Sequence, residues 1–164
     1  MPTLFTVNKL TFKSKENIPE SFDIQTAVPR LSKEADSKQL VFDIRSLRPG
    51  KYSFPFHFHH NAEELMVILS GSLMLRTSDG FHELNTGDIV FFETGKTGAH
   101  QFFNHTKIPC TYLDIRTAFG TDVCEYTDSG KISILPQFNV FKKGEETDYF
   151  DGEDNIDDKW KEIK

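Results

Sequence analysis

The stretch His57-Phe58-His59-His60-Asn61-Ala62-Glu63-Glu64-Leu65-Met66-Val67-Ile68-Leu69-Ser70-Gly71 decides the fold. Side chains on a β-strand alternate between faces, so an extended His57-Phe58-His59 points both imidazoles one way and Phe58 the other. Residues 65–69 form a short apolar run closed by Ser70-Gly71, which reads as a second strand ending in a turn. A hairpin connection of this length brings the carboxylate of Glu64, at the start of that strand, back beside the histidines. Two imidazoles and a carboxylate gathered this way are a donor set for a first-row divalent ion.

The same rhythm continues outward. Residues 39–47 and 52–59 flank the turn Arg48-Pro49-Gly50, and residues 73–77, 81–84, 89–92, 100–103 and 112–116 follow, with Ser78-Asp79-Gly80 and Asn85-Thr86-Gly87-Asp88 among the breaks. Strands this short and evenly spaced, without long amphipathic helices, predict an all-β antiparallel sandwich or barrel. Composition agrees, because 16 of the 164 residues are phenylalanine, and such rings suit the space between packed sheets. With 37% hydrophobic and 27% charged residues the chain is expected to fold, as a single domain over residues 1–164. Residues 1–36 read as an N-terminal arm that extends a sheet edge or covers a face, 37–118 as the barrel core and 119–164 as a C-terminal extension. Within the arm, residues 4–7 and 10–12 are candidate strands and 32–37 a polar connection. Near the other end, Asn155 reads as the cap of a short helix running to Lys164, docked through Trp160, with Asp157 placed to pair with Lys161.

A fourth donor is available in His100, after a second apolar strand and a turn. Together these residues resemble the cupin superfamily. Gly50, His57, His59, Glu64 and Gly71 are similar to its first motif, with full agreement from His57 to Gly71; Gly87, Gly95, His100 and Asn104 are similar to its second. The chain departs from the pattern in three places. Six residues rather than five separate Gly50 from His57, which with Pro55 inside a strand predicts a bulge near that proline. Glu93 stands where the family usually has proline, and four residues instead of two separate Gly95 from His100. Glu63 and His105 are the competing donors, and each fits the spacing less well. The resemblance implies a double-stranded β-helix, a jelly-roll barrel of two packed antiparallel sheets. It also implies one divalent transition metal per chain (iron, manganese, nickel, cobalt or zinc), held by His57, His59, Glu64 and His100. Cupins similar to this chain include isomerases, epimerases, dioxygenases and decarboxylases, so the resemblance sets a range and not a reaction.

Strand parity sends Phe54, Phe56 and Phe58 outward together, a patch too large to leave in water. Cover is expected from the arm or from a second subunit, and the resemblance to cupins favours a homodimer. Parity also sets Met66 and Phe102 near the metal, making a partly apolar pocket for a small organic ligand. His60, His82, Asp114 and Arg116 read as surface or structural residues. Residues 144–164 hold nine acids against Lys159, Lys161 and Lys164, which accounts for the whole net charge of −6. The neutral body lacks the basic footprint that nucleic acids or anionic membranes require, so neither is an expected partner. No leader-like or spanning apolar segment is present, and Cys110 and Cys124 match no redox or zinc spacing; a cytoplasmic protein with reduced, packed cysteines is expected. The functional expectation is a divalent-metal-dependent enzyme acting on a small organic molecule, of isomerase, dioxygenase or lyase type. The alternative is a noncatalytic sensor or storage cupin. No side chain stands out in the sequence as a general base.

Overall fold

Alternation is literal in the strand that follows the histidines, where Glu64, Met66 and Ile68 are buried and Leu65, Val67 and Leu69 are only partly so. The computed structural model describes every residue except Met1, Glu145, Asn155, Lys161 and Lys164. In chain order its strands are β1 (Thr11–Ser14), β2 (Gln25–Val28), β3 (Leu40–Leu47), β4 (Phe58–His59), β5 (Glu64–Ser70), β6 (Ser72–Arg76) and β7 (Phe81–Asn85). There follow β8 (Ile89–Phe92), β9 (Gln101–Phe103), β10 (Cys110–Thr117), β11 (Asp122–Tyr126), β12 (Lys131–Leu135) and β13 (Asn139–Lys142). Among the described residues helix is confined to the single turn α1 (Leu31–Glu34) and to 3-10 turns.

One face of the barrel is the antiparallel sheet β1-β2-β3-β10-β5-β8; the other comprises β13-β12-β11-β4 and β7-β6-β9. Antiparallel bridges from the segment that leads into β4, Tyr52 to Phe103 and His57 to His100, join the two parts of that second face. Leu47, Met66, Ile68 and Tyr112 from the first face pack against Leu73, Leu75 and Phe102 from the second, all buried, and close one end of the barrel with apolar side chains. Each such side chain contributes about 1.5–3 kcal/mol on burial, which makes this end the structural anchor. The expected all-β barrel is therefore the observed one.

The arm both extends an edge and covers a face. β1 and β2 continue the six-stranded sheet beyond β3, while Phe5, Leu10 and Phe12 pack with Leu31 over Ile44. Residues 4–7 do not form a strand; a 3-10 turn occupies Val7–Lys9 instead. β2 and α1, four residues each, are too short to display a period in the sequence.

The bulge near Pro55 is larger than the spacing suggested. Tyr52 pairs with Phe103 and His57 with His100, so four residues on one strand oppose two on the other. Because the excess is even, the strand regains its parity and His57 again faces inward. The row of three outward rings does not form. Phe54 turns into the barrel, where it lines a cavity, and Phe56 and Phe58 are buried by their own chain, with Ala99 beside them and the Arg76 guanidinium 4.0 Å from the Phe56 ring centre. These rings need no second subunit to cover them. Trp160 is likewise undocked, half exposed on a 3-10 turn (Ile156–Trp160). The expected Asn155 cap and Asp157–Lys161 pair lie outside the described residues.

Asn104 is fully buried and ties three segments together. Its amide donates to the carbonyls of Leu47 (2.8 Å) and Ile108 (2.9 Å), and its side-chain oxygen accepts from the Thr106 backbone (2.9 Å) and hydroxyl (2.7 Å). Asn104→Ala strands these partners and is expected to lower the unfolding free energy by about 2 kcal/mol or more, read from urea denaturation.

Candidate metal centre

His57 and His100 face each other across a pair of exchanged backbone hydrogen bonds, His57 N–H to His100 C=O (3.2 Å) and His100 N–H to His57 C=O (2.9 Å). Directly opposed residues share a face, and their ring centres are 4.7 Å apart. His59, two residues along, puts its ring 5.3 Å from His57. Glu64 at the start of β5 arrives from the other sheet, with Oε2 3.1 Å from His100 Nε2 and Oε1 3.5 Å from His59 Nε2. All four side chains are buried. One ligand atom from each of His57, Glu64 and His100 lies within 4.8 Å of the others. Of the competing donors, Glu63 is exposed, and His105 lies 3.3 Å from Glu83 on another part of the surface.

The outer nitrogen of each imidazole is fixed by an acceptor. His57 Nδ1 donates to the Pro55 carbonyl (2.8 Å), His100 Nδ1 to the Gly98 carbonyl (2.9 Å), and His59 Nδ1 to the Asp122 carboxylate. A carbonyl or carboxylate can only accept, so each Nδ1 carries the hydrogen, and in the neutral ring Nε2 keeps its lone pair. The Phe92 ring stacks on His100 at 3.7 Å and fixes its plane. Gly98 is required in that turn, because a Cβ there would sit 1.9 Å from the Glu93 carbonyl oxygen.

Two atoms at the centre of the cluster, Glu64 Oε2 and His100 Nε2, are buried without a hydrogen-bond partner; at 3.1 Å they are close but misaligned. Buried polar atoms are nearly always satisfied, so this pair, beside two further imidazoles keyed in the same way, fits a cation. The electrostatics agree. Burial, reinforced by the neighbouring His100, lowers the His57 pKa to about 3, so the ring is neutral and able to ligate. Burial alone would raise Glu64, but His100 and the other imidazoles outweigh it and hold the carboxyl below its usual range. Asp122 is likewise held down, with burial outweighed by hydrogen bonds from His59 and the Asn61 backbone.

Several contributing residues were not identified from sequence. Asp122, Cys124 and Tyr126 come from β11, about 60 residues after the histidines, and no local spacing announces them. Cys124 Sγ lies within 4.8 Å of nitrogens of His57 and His59, and burial pushes its thiol up to about 12, which keeps it protonated. A cavity of about 670 Å³ opens from the cluster, lined by Phe54, Arg45, Asp114 and Arg116 among others. Arg45, Asp114 and Arg116 thus face inward, Asp114 against Arg45 at 2.8 Å. Burial raises the Asp114 pKa by more than Arg45 lowers it. Met66 lines the cavity as expected, whereas Phe102 lies behind it in the apolar core. His60 is exposed and contacts Glu125 (3.2 Å), and His82 is exposed beside Asp79 (3.5 Å).

An antiparallel β-barrel with three imidazoles and a carboxylate on its inner wall defines a class of small proteins. The cupin domain family matches residues 44–116, and the chain carries a cupin domain over that stretch. In fold it is similar to a candidate sugar phosphate isomerase of Acidithiobacillus ferrooxidans (TM-score 0.76, 20% identity, 88% of this chain and 95% of that one). A cupin-superfamily sugar phosphate isomerase of Silicibacter pomeroyi is comparably similar (TM-score 0.75, 23% identity, 92% and 98%). The likeness extends to a polyketide cyclase of Streptomyces resistomycificus (TM-score 0.57, 18% identity, 71% and 80%). At these identities it is a likeness of fold. No curated protein is significantly similar to the chain in sequence. Among the described residues no helix is long and apolar enough to cross a membrane.

Two outcomes are expected. Asp122→Ala releases His59 Nδ1 and should weaken divalent-metal affinity by about 10- to 100-fold in a competition titration, with the barrel still folded by circular dichroism. Metal-free protein should lose stability as pH falls from 6.5 toward about 3. Above that window His57 is neutral folded and unfolded; within it only the unfolded chain takes up the proton, which favours unfolding by a few kcal/mol at the acid end (order of magnitude). Urea denaturation at stepped pH reads the slope, and His57→Gln should flatten it.

Proposed function

We propose that the chain is a divalent-metal-dependent enzyme acting on a small organic molecule, with one ion held by His57, His59, Glu64 and His100. The observation that carries this reading is the common orientation of the three imidazoles, each with Nδ1–H committed outward and the Nε2 lone pair free toward one buried carboxylate. A divalent ion bound there supplies a Lewis acid for a carbonyl or hydroxyl oxygen. The rest is the work of the chain. The cavity admits the molecule beside the cluster, Phe54 walls it with a ring, and Asp114 offers a carboxyl whose raised pKa suits proton transfer. A cavity with a charged inner wall next to the cluster favours turnover over storage of a metal, which needs no such space. The isomerase names of two structural neighbours are compatible with this class of chemistry.

Elemental analysis of untagged protein, purified without metal columns, tests the reading. Near-stoichiometric divalent metal is expected, and its loss in the His57→Ala/His100→Ala double variant. A variant that retains a full complement, or a wild-type chain that takes up none after incubation with divalent ions, would overturn it.

A further inference from the structure

The cavity described above is one of two that meet at His57. The second, of about 560 Å³, runs from the cluster toward Ile18, Phe22, Phe56 and Val140. Lys15, Ile24, Phe54, His57, Tyr126 and Phe138 border both. The two lobes differ in chemistry.

The first lobe is charged. Five basic side chains line it against the carboxylates of Glu64 and Asp114, in a chain whose formal charge is −6. Arg45 is already occupied by Asp114 and by the Thr26 hydroxyl (2.5 Å), and Arg30 by Asp43 (2.5 Å). Arg116 is different. Its nearest carboxylate, Asp122 at 3.6 Å, is committed to His59 and to the Asn61 backbone, so the partly buried guanidinium has donors to spare on the cavity wall. A spare guanidinium beside a cation site suits an anionic group, carboxylate or phosphate.

The second lobe is walled chiefly by aliphatic and aromatic side chains. Phe54 stands between the lobes, its ring edge-on to His57 at 6.2 Å and 5.1 Å from the Arg45 guanidinium carbon. It is there because the two-residue excess before His57 turns it inward. The bulge therefore shapes the wall of the binding site.

We infer that the ligand of this site is bipartite: an organic anion whose charged head lies toward Arg116 and whose apolar body fills the lobe lined by Phe22, Phe56 and Val140, with the metal centre at the junction. This rests on the metal-dependent reading above and deepens it. It also separates the chain from a binder of bare polyol anions, which have nothing to place against the apolar wall.

Calorimetric titration of the metal-loaded protein, its metal content measured first, tests the inference with 3-phenyllactate, lactate, 3-phenylpropane-1,2-diol and fructose 6-phosphate. The phenyl acid is expected to bind about tenfold or more tighter than lactate, for the ring, and tighter than the diol by a similar factor, for the carboxylate. Val140→Trp, at a half-exposed position that tolerates bulk, should bring the phenyllactate-to-lactate ratio toward one; Arg116→Gln should do the same to the acid-to-diol ratio. Equal binding of phenyllactate and lactate, or of acid and diol, overturns the inference. So does tighter binding of fructose 6-phosphate than of phenyllactate, or no binding of phenyllactate at millimolar concentration. A chain that takes up no metal instead refutes the reading of the site itself.

Discussion

The open end of the barrel depends on one pair of backbone hydrogen bonds, those exchanged between His57 and His100. With the bridge from Tyr52 to Phe103 they make one surface of β13-β12-β11-β4 and β7-β6-β9. They also put two imidazoles directly opposite each other on the inner side, with no freedom to drift apart while the sheet is intact. The bulge before His57 tests this constraint. An excess of one residue over the opposing strand would turn both histidines of β4 out to solvent; the observed excess of two leaves them inward at the cost of a local bulge.

The barrel interior is divided between an apolar end, around Leu47, Ile68, Leu73 and Phe102, and a polar end, around Glu64, His100, Arg45 and Asp114. Burying an ion costs several kcal/mol even when it is paired, so the polar end adds little to stability and draws on the apolar end for it. Shape alone does not require this arrangement, since replacing a buried ion pair with apolar side chains is often neutral or stabilising. The proposed function gives this arrangement a physical reason.

What could be read from the sequence follows the range of each signal. Strand parity over three residues placed His57 and His59 together, and the motif's spacing to His59 and Gly71 chose Glu64 over Glu63. Both are local, and the structure brings these side chains into one cluster with His100. Parity failed where it was carried across Pro55, because a bulge resets the faces: Phe54 went in, and Phe56 and Phe58 found cover within the chain. Asp114 and Arg116 looked like surface or structural residues because charge on a strand ordinarily means solvent. Only the cavity, a property of the assembled barrel, reverses that reading. Trp160 shows the opposite error, since a large ring was expected to dock and the chain leaves it half exposed.

The three Nδ1 anchors differ in kind, and the difference assigns a role to β11. For His57 and His100 the acceptor is the carbonyl two residues earlier, Pro55 and Gly98, so the local turn that presents each histidine also orients it. Any chain that reproduces those turns inherits the ring orientation. His59 has no such local partner, and its acceptor is Asp122, from a strand that pairs with β4 and lies beyond residue 116, where the match to the cupin domain ends. The same strand supplies Tyr126, which stacks on His57 with ring centres 6.0 Å apart and borders both lobes of the cavity. Residues 44–116 therefore carry the four candidate ligands but not the group that orients one of them. The site is complete only when β11 is seated beside β4.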